Sequence, residues 1–178
     1  MSLYARTKHL HHACEAHPFG ARMSKGNMTP QEWADWLWAF RCLHSVVDGA
    51  LPAHMARDRL LAADMSVLPT ARPSKAALSF AAGLVGRDVT GAAYVLHGAH
   101  RSGGRVMTPI LSKRGLPCAH VVYLDNEAAK AWVTQARSEV GSTSMAQDTF
   151  GCLLAVMDEI ESARHLKTGE NKLSSHVV

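Results

Sequence analysis

Residues 7–15 of the chain read TKHLHHACE and lie in a predicted helix from about Leu3 to Glu15. An α-helix has about 3.6 residues per turn, so Lys8, His11 and Glu15 share one side of it. The imidazole of His11 therefore has a cation one turn before it and a carboxylate one turn after it. A metal-ligating imidazole commonly donates its second N–H to such a partner, and Glu15 lies within reach of that role.

Spacing alone favours a plainer interpretation of this helix, in which it is a polar surface helix. Lone helical histidines are mostly structural or solvated. A second stretch of the chain adds weight to the ligand interpretation. Gly98, Gly103 and Gly104 fall inside another predicted helix, where three glycines together cost about 3 kcal/mol relative to alanine. Missing side chains allow a backbone to approach a flat ligand closely, although a close helix crossing or an interhelical loop would also explain them.

The two stretches together resemble the heme oxygenase family. The first match is A-R-T-K-x-L-H-x-x-x-E at residues 5–15, followed by Pro-Phe at 18–19 and K-G-x-M-T at 25–29. The second match is A-A-Y-V-L-x-G at residues 92–98, followed by G-G-R-V at 103–106. In detail the chain is most similar to the bacterial, phytochrome-associated members that produce biliverdin.

The resemblance implies a role for several residues on the proximal side of a bound heme. His11 would be the axial iron ligand, Glu15 would support it, and Lys8 would meet a heme propionate. Lys130 and Arg137, two turns apart in a later predicted helix, form a second and weaker pair of propionate partners.

On the distal side the sequence departs from the family's pattern. Members typically have one glycine, three residues and then two glycines, and many place an Asp three residues before that pair. Here four residues separate Gly98 from Gly103, and His100 stands at the Asp position, with His97 one turn away. A neutral imidazole can hold water that delivers protons to bound oxygen, but it can also ligate iron. We expect His100 to point aside into a water network, because the Gly103–Gly104 backbone leaves little room beside the ring.

The resemblance further implies an activity. Heme would be both cofactor and substrate, cleaved with O2 and electrons from an external donor to biliverdin, carbon monoxide and ferrous iron. The expected partners are heme, a reductase and a bilin-accepting photoreceptor. Two alternatives remain at this point: a heme-binding carrier of the same fold without turnover, and a helical interaction module without a cofactor.

Helical periodicity extends along most of the chain and predicts an all-α, single-domain bundle of the heme oxygenase type over residues 1–178. Thr29 and Glu32 form a predicted capping box that opens the second long helix. Helical spacing predicts one wide buried face on it, formed by Trp33, Trp36, Leu37, Phe40, Leu43, His44 and Val47. About seven helices are expected, with a connector at residues 18–28 and a last helix that ends near Leu166. Residues 174–178 are expected to form a loose tail. The predicted helices cover about residues 3–15, 30–50, 53–63, 75–85, 90–111, 126–140 and 145–166.

Composition excludes several other classes. The net charge is +4 with no Lys/Arg run, which argues against nucleic-acid binding. No apolar segment reaches the roughly 18 to 20 residues of a membrane span, and no apolar leader precedes the first helix. The four cysteines contain no CxxC pair, and reduced thiols are favoured over disulfides. We therefore expect a cytoplasmic protein.

Overall fold

A computed structural model describes the backbone of residues 2–174 and the side chains of residues 2–166. The predicted all-α architecture is confirmed, with no strand in this part of the chain. Residues 175–178, which make up most of the loose tail expected at residues 174–178, lie outside the described residues. The α-helices are α1 Leu3–Ala16, α2 Pro18–Ser24, α3 Pro30–Val47, α4 Asp58–Met65, α5 Lys75–Leu84, α6 Thr90–Gly98, α7 Gly104–Lys113, α8 Asn126–Ala136 and α9 Thr143–Ser174.

The described helices exceed the expected seven for identifiable reasons. The segment predicted as a connector contains α2, which Pro18 opens at its first turn and which the side chain of His17 caps. The single helix expected over residues 90–111 is divided into α6 and α7. The one expected near residues 53–63 consists of a 3₁₀ turn at Ala53–Met55 followed by α4. The last helix was expected to end near Leu166, but α9 continues to Ser174.

Helix α3 begins as the sequence predicts. The Thr29 hydroxyl accepts the backbone N–H of Glu32, and the Glu32 carboxylate accepts the backbone N–H of Thr29, which completes the capping box. The predicted apolar face is buried along its whole length. It carries Trp33, Trp36, Leu37, Phe40, Leu43, His44 and Val47. Burial of this wide face makes α3 a central wall of the core.

Helix α9 is the element that brings the two candidate stretches together. It packs against α1, α2, α3, α5 and α6. At Gly91 the backbone of α6 approaches α9 so closely that a Cβ would stand 2.4 Å from the carbonyl oxygen of Ser142 and 2.7 Å from the nitrogen of Ala146. The contact therefore requires glycine.

Two further features of the fold are the state of the cysteine thiols and the length and polarity of the helices. All four cysteines are free thiols, as expected for a reduced protein. Within the described part of the chain, no helix is both long enough and apolar enough to cross a membrane.

Replacing Gly91 tests the α6–α9 contact. Gly91→Ala should lower the free energy of unfolding by about 3 kcal/mol, because the added methyl group overlaps backbone atoms that cannot move independently. Gly151→Ala is the matched control, since a Cβ at this mid-helix position in α9 would meet nothing within 4 Å. That variant should be more stable by up to about 1 kcal/mol. Urea unfolding followed by circular dichroism measures both, and equal stabilities for the two variants would contradict the contact.

Candidate functional site

Helix α1 presents Lys8, His11 and Glu15 on its exposed side, as the sequence predicts. The Nδ1 atom of His11 lies 3.6 Å from Oε2 of Glu15, and the imidazole remains 52% exposed. The other face of α1 is anchored by Leu3 and Thr7, which are buried. His11 is therefore held on a fixed helix with its ring accessible.

The carboxylate of Glu15 is shared by two histidines. Nδ1 of His12 lies 3.1 Å from the same oxygen, which is nearer than Nδ1 of His11. A separation of 3.6 Å is too long for a direct hydrogen bond, whereas 3.1 Å is not. Glu15 can orient His11 only when it turns away from His12, so the expected supporting contact is within reach but is not made.

The candidate propionate partners lie in different surroundings. Lys8 is exposed on α1. Lys130 is exposed on α8 with its ammonium 3.6 Å from Glu127. Arg137, just past the end of α8, lies beside α1: its guanidinium carbon is 5.2 Å from the centre of the Tyr4 ring, and its carbonyl accepts the backbone N–H of Leu3. The fold therefore brings Arg137, but not Lys130, to the helix that carries His11.

The glycine-rich segment contains a π-helical turn at Ala99–Gly103, between α6 and α7. A π turn has a wider winding than an α-helix and accommodates one additional residue in a continuous helix. The four residues between Gly98 and Gly103 occupy this turn. It turns the side chain of His100 into the interior, where it is buried.

The three glycines do not have the same role. A Cβ at Gly98 or Gly103 would meet nothing within 4 Å, so these positions border open space. A Cβ at Gly104 would lie 2.6 Å from Cβ of Val121. Gly104 therefore makes room for the turn at residues 119–121, which is the close-packing explanation that the sequence left open for these glycines.

Four imidazoles meet behind the π turn, and we call them the buried histidine cluster: His44, His97, His100 and His120. The Nε2 atoms of His44 and His100 are 2.9 Å apart and share a hydrogen bond. The rings of His44 and His97 lie 5.1 Å apart, and those of His100 and His120 lie 5.2 Å apart. His100 is thus directed away from the surface and toward α3.

Carboxylates support two members of this cluster. His44 donates from Nδ1 to Asp48 across 2.8 Å, and His120 donates from Nδ1 to Asp64 across 2.6 Å. Asp48 also accepts the backbone N–H groups of Arg57 and Asp58, at 2.7 and 3.0 Å. Sequence reasoning treated His44 only as a core position and did not single out His120. The spacing of His44 and Asp48, four residues apart on one helix, was the available signal.

His97 is completely buried, and its two nitrogens have different surroundings. Nδ1 lies 2.7 Å from the hydroxyl of Tyr123. Nε2 is also buried but has no hydrogen-bond partner. Buried polar atoms are nearly always satisfied in folded proteins, so this nitrogen has a free bonding capacity.

Burial keeps three members of the cluster, His44, His97 and His100, uncharged near neutral pH because it lowers the pKa of each. Desolvation lowers the pKa of His97 to about 2, and the neighbouring His44 contributes in the same direction. Burial also lowers the pKa of His100 well below its usual value and that of His44, although the hydrogen bond to Asp48 opposes the change at His44. At Asp48, burial by itself would raise the pKa, but the hydrogen bonds from His44 and the backbone lower it.

No protein-family model matches the sequence, and no curated protein matches it. Among solved structures, the chain is similar to heme oxygenase-1 from the cyanobacterium Synechocystis sp. PCC6803, a crystal structure of that protein in complex with heme. The TM-score is 0.76, with 16% sequence identity over 97% of this chain and 96% of that one. The chain has the heme oxygenase fold. At 16% identity this similarity shows the fold alone.

The residues of this heme oxygenase fold are compatible with a flat iron macrocycle. His11 offers an accessible imidazole with a carboxylate beside it. Gly98 and Gly103 leave open space next to their backbones. Lys8 and Arg137 supply cations near the same helix for the two carboxylates of heme.

The buried histidines predict a marked pH dependence of stability. An unfolded histidine binds a proton below about pH 6.5, whereas His44, His97 and His100 resist protonation in the fold. The unfolded state then binds more protons, so stability is greatest above pH 6.5 and falls as the pH decreases. Each of these histidines contributes up to about 1.4 kcal/mol per pH unit between its lowered pKa in the fold and pH 6.5.

Urea unfolding at pH 7, 6 and 5 measures the slope of the free energy of unfolding against pH. His97→Asn removes one titrating group while retaining a nitrogen or oxygen near Tyr123, and should make the slope shallower by about 1.4 kcal/mol per pH unit. A stability that does not change between pH 6 and pH 5 would contradict the burial of neutral imidazoles.

Proposed function

We propose that the protein binds heme through His11 and cleaves it oxidatively to biliverdin, carbon monoxide and ferrous iron. O2 and an external electron donor would be the other reactants. The observation that carries the proposal is the position of His11: an exposed imidazole on α1, beside a carboxylate, in a fold that closely resembles that of a heme-bound heme oxygenase.

Heme, when bound, supplies the iron centre at which O2 is reduced and the ring that is cleaved. His11 would ligate the heme iron through Nε2. Glu15 would accept the proton on Nδ1 of His11 once its carboxylate turns away from His12. Lys8 and Arg137 meet the propionates, and Lys130 is a weaker candidate because Glu127 already engages it.

On the distal side, Gly98 and Gly103 would let the helix backbone lie close to the ring. His100 lies in the buried histidine cluster with Nε2 engaged by His44. We propose that His100 acts by holding polar groups behind the π turn rather than by ligating iron.

A reductase and a bilin-accepting photoreceptor of the phytochrome type are the proposed macromolecular partners, in the cytoplasm. The proposal rests on the sequence motifs at residues 5–15 and 92–106, because those motifs are most similar to the phytochrome-associated members of the family. If the protein serves to release iron and does not pass the bilin to a photoreceptor, the same site residues would carry out the reaction.

A second candidate function is heme carriage without turnover. It is favoured by the histidine at position 100, where many members of the family have an aspartate. A carboxylate anchors water for proton delivery, whereas His100 is hydrogen-bonded to another imidazole. Proton delivery to bound oxygen would then be slow.

Hemin titration of the purified chain tests the axial ligand. A stoichiometric Soret band should form, and ascorbate or a reductase with oxygen should replace it with bilin absorption. His11→Ala should abolish the native axial ligation and reduce turnover to background, because His9 and His12 point about 160° and about 100° away from His11 around the helix.

His9→Ala is the matched control, since it removes an exposed imidazole from the same helix and should change neither property. A Soret band that persists under reductant and oxygen would favour the carrier, and no Soret band in the wild type would favour a cofactor-free interaction module. An unchanged spectrum and activity in His11→Ala would exclude His11 as the ligand.

His100→Ala separates a distal polar role from iron ligation. The ferric spectrum should be unchanged, because Nε2 of His100 is turned toward His44. Turnover should fall by about 10-fold or more, since the polar arrangement behind the π turn is lost. A low-spin ferric spectrum that becomes high-spin in His100→Ala would instead identify His100 as a ligand.

A further inference from the structure

Part of the buried histidine cluster has the form of a metal site. One ligand atom from each of His44, Asp48 and His97 lies within 4.8 Å of the others. We propose that these three residues bind one divalent transition-metal ion, separately from the heme proposed at His11. Two imidazoles and one carboxylate are a ligand set that suits ions such as Fe²⁺, Co²⁺ and Zn²⁺.

The unpartnered nitrogen of His97 is the first observation that points to an ion. Its side chain is 0% exposed, and Nε2 has no hydrogen-bond partner. When Nδ1 donates its proton to the Tyr123 hydroxyl oxygen, the ring is fixed in the tautomer whose Nε2 carries a lone pair. No described side chain or backbone group uses that lone pair.

The geometry of His44 and Asp48 is the second observation. Their Nδ1 and Oδ1 atoms are 2.8 Å apart, and adjacent ligands about 2.1 Å from one ion are separated by about 3.0 to 3.4 Å. An ion could therefore replace the proton between them with a displacement of a few tenths of an ångström. The His44 proton would then sit on Nε2 and be donated to Nε2 of His100, whose own proton would move to its Nδ1, so the number of protons is unchanged.

Neighbouring groups hold the proposed ligands in place. The second oxygen of Asp48 accepts the backbone N–H groups of Arg57 and Asp58, which fixes the carboxylate. His44 and Asp48 are one turn apart on α3 and at its C-terminal end, so their relative position is set locally. Such second contacts are a regular property of metal sites.

The three ligand atoms would have to move only slightly closer together to bind one ion. Two ligands about 2.1 Å from one ion can be at most about 4.2 Å apart. The three atoms lie within 4.8 Å of one another, so a separation at that limit would shorten by about 0.6 Å on binding and a smaller one by less. The carboxylate of Asp48 provides negative charge that partly offsets a dication in this buried setting, although the guanidinium of Arg57 acts in the opposite direction.

A second group, His11, His12 and Glu15, also brings three ligand atoms within 4.8 Å, but all three residues are exposed. Exposed groups of this kind commonly hold no ion, and His11 already has a proposed role. This group therefore serves as an internal control.

The test uses the full chain without hemin and CoCl2 as the probe. Cobalt is added both to the folded protein and during refolding, because the site is closed to solvent. Visible absorption reports the ligand field, and metal analysis after desalting gives the stoichiometry. One Co²⁺ per chain is expected, together with a higher unfolding temperature.

Two variants locate the ion. His97→Asn keeps a polar atom near Tyr123 but removes the Nε2 ligand, and Asp48→Asn keeps the shape but removes the charge. Each should weaken Co²⁺ binding by at least about 100-fold, more than the loss of a supporting contact. His12→Ala should leave the stoichiometry and the spectrum unchanged.

Several results would overturn the proposal. These are no retained Co²⁺ in the wild type after refolding, an unchanged affinity in both His97→Asn and Asp48→Asn, or loss of the ion in His12→Ala alone. If one variant does not fold, as judged by circular dichroism, the other variant and the wild-type stoichiometry decide. Because hemin is absent and His11 is unaltered, the outcome is independent of the heme proposal.

Discussion

The close contact of α6 with α9 is the constraint on which the arrangement of the candidate sites depends. Gly91 lets the two helix backbones approach to a distance that any side chain would prevent. Helix α1 packs on the same α9, where the ring of His11 lies 6.3 Å from that of Phe150. The helix with the candidate ligand and the helix leading into the π turn are therefore positioned by one common neighbour.

The interior behind the π turn is polar, which is unusual for the centre of a helical bundle. The free-energy cost of burying these polar groups is reduced because the imidazoles pair with one another or with carboxylates, as in the contacts of His44 with Asp48 and His100. Burial keeps the rings of His44, His97 and His100 neutral, and a neutral imidazole is both a hydrogen-bonding group and a metal ligand. The free nitrogen of His97 is the exception in this otherwise paired arrangement, and it gives the cluster a chemical capacity beyond packing.

The two regions differ in how firmly their side chains are held. On α1 the carboxylate of Glu15 has two competing imidazoles, both exposed, so its partner can change without altering the fold. In the buried histidine cluster each ring is fixed by groups from other elements, as His120 is by Asp64. Because the side chains on α1 are exposed, a ligand can rearrange them. The side chains of the buried histidine cluster are already held in place without a ligand.

The local parts of this structure follow from the sequence. Helical periodicity predicts the buried face of α3, and the Thr29–Glu32 capping box predicts where that helix begins, because both depend on residues at most four apart. The same reasoning places Lys8, His11 and Glu15 on one side of α1. Family resemblance in two short motifs predicts the fold, which the structure confirms.

Tertiary structure decides which distant side chains meet. His44 and His100 are 56 residues apart in the chain, and no periodicity indicates that their nitrogens share a hydrogen bond. Sequence reasoning likewise cannot separate Gly104, which accommodates Val121, from Gly98, which borders open space, since the same residue type serves both purposes. Hydrogen-bond pairing and close contact over long separations depend on how whole helices pack, and that is determined by the complete core rather than by any one segment.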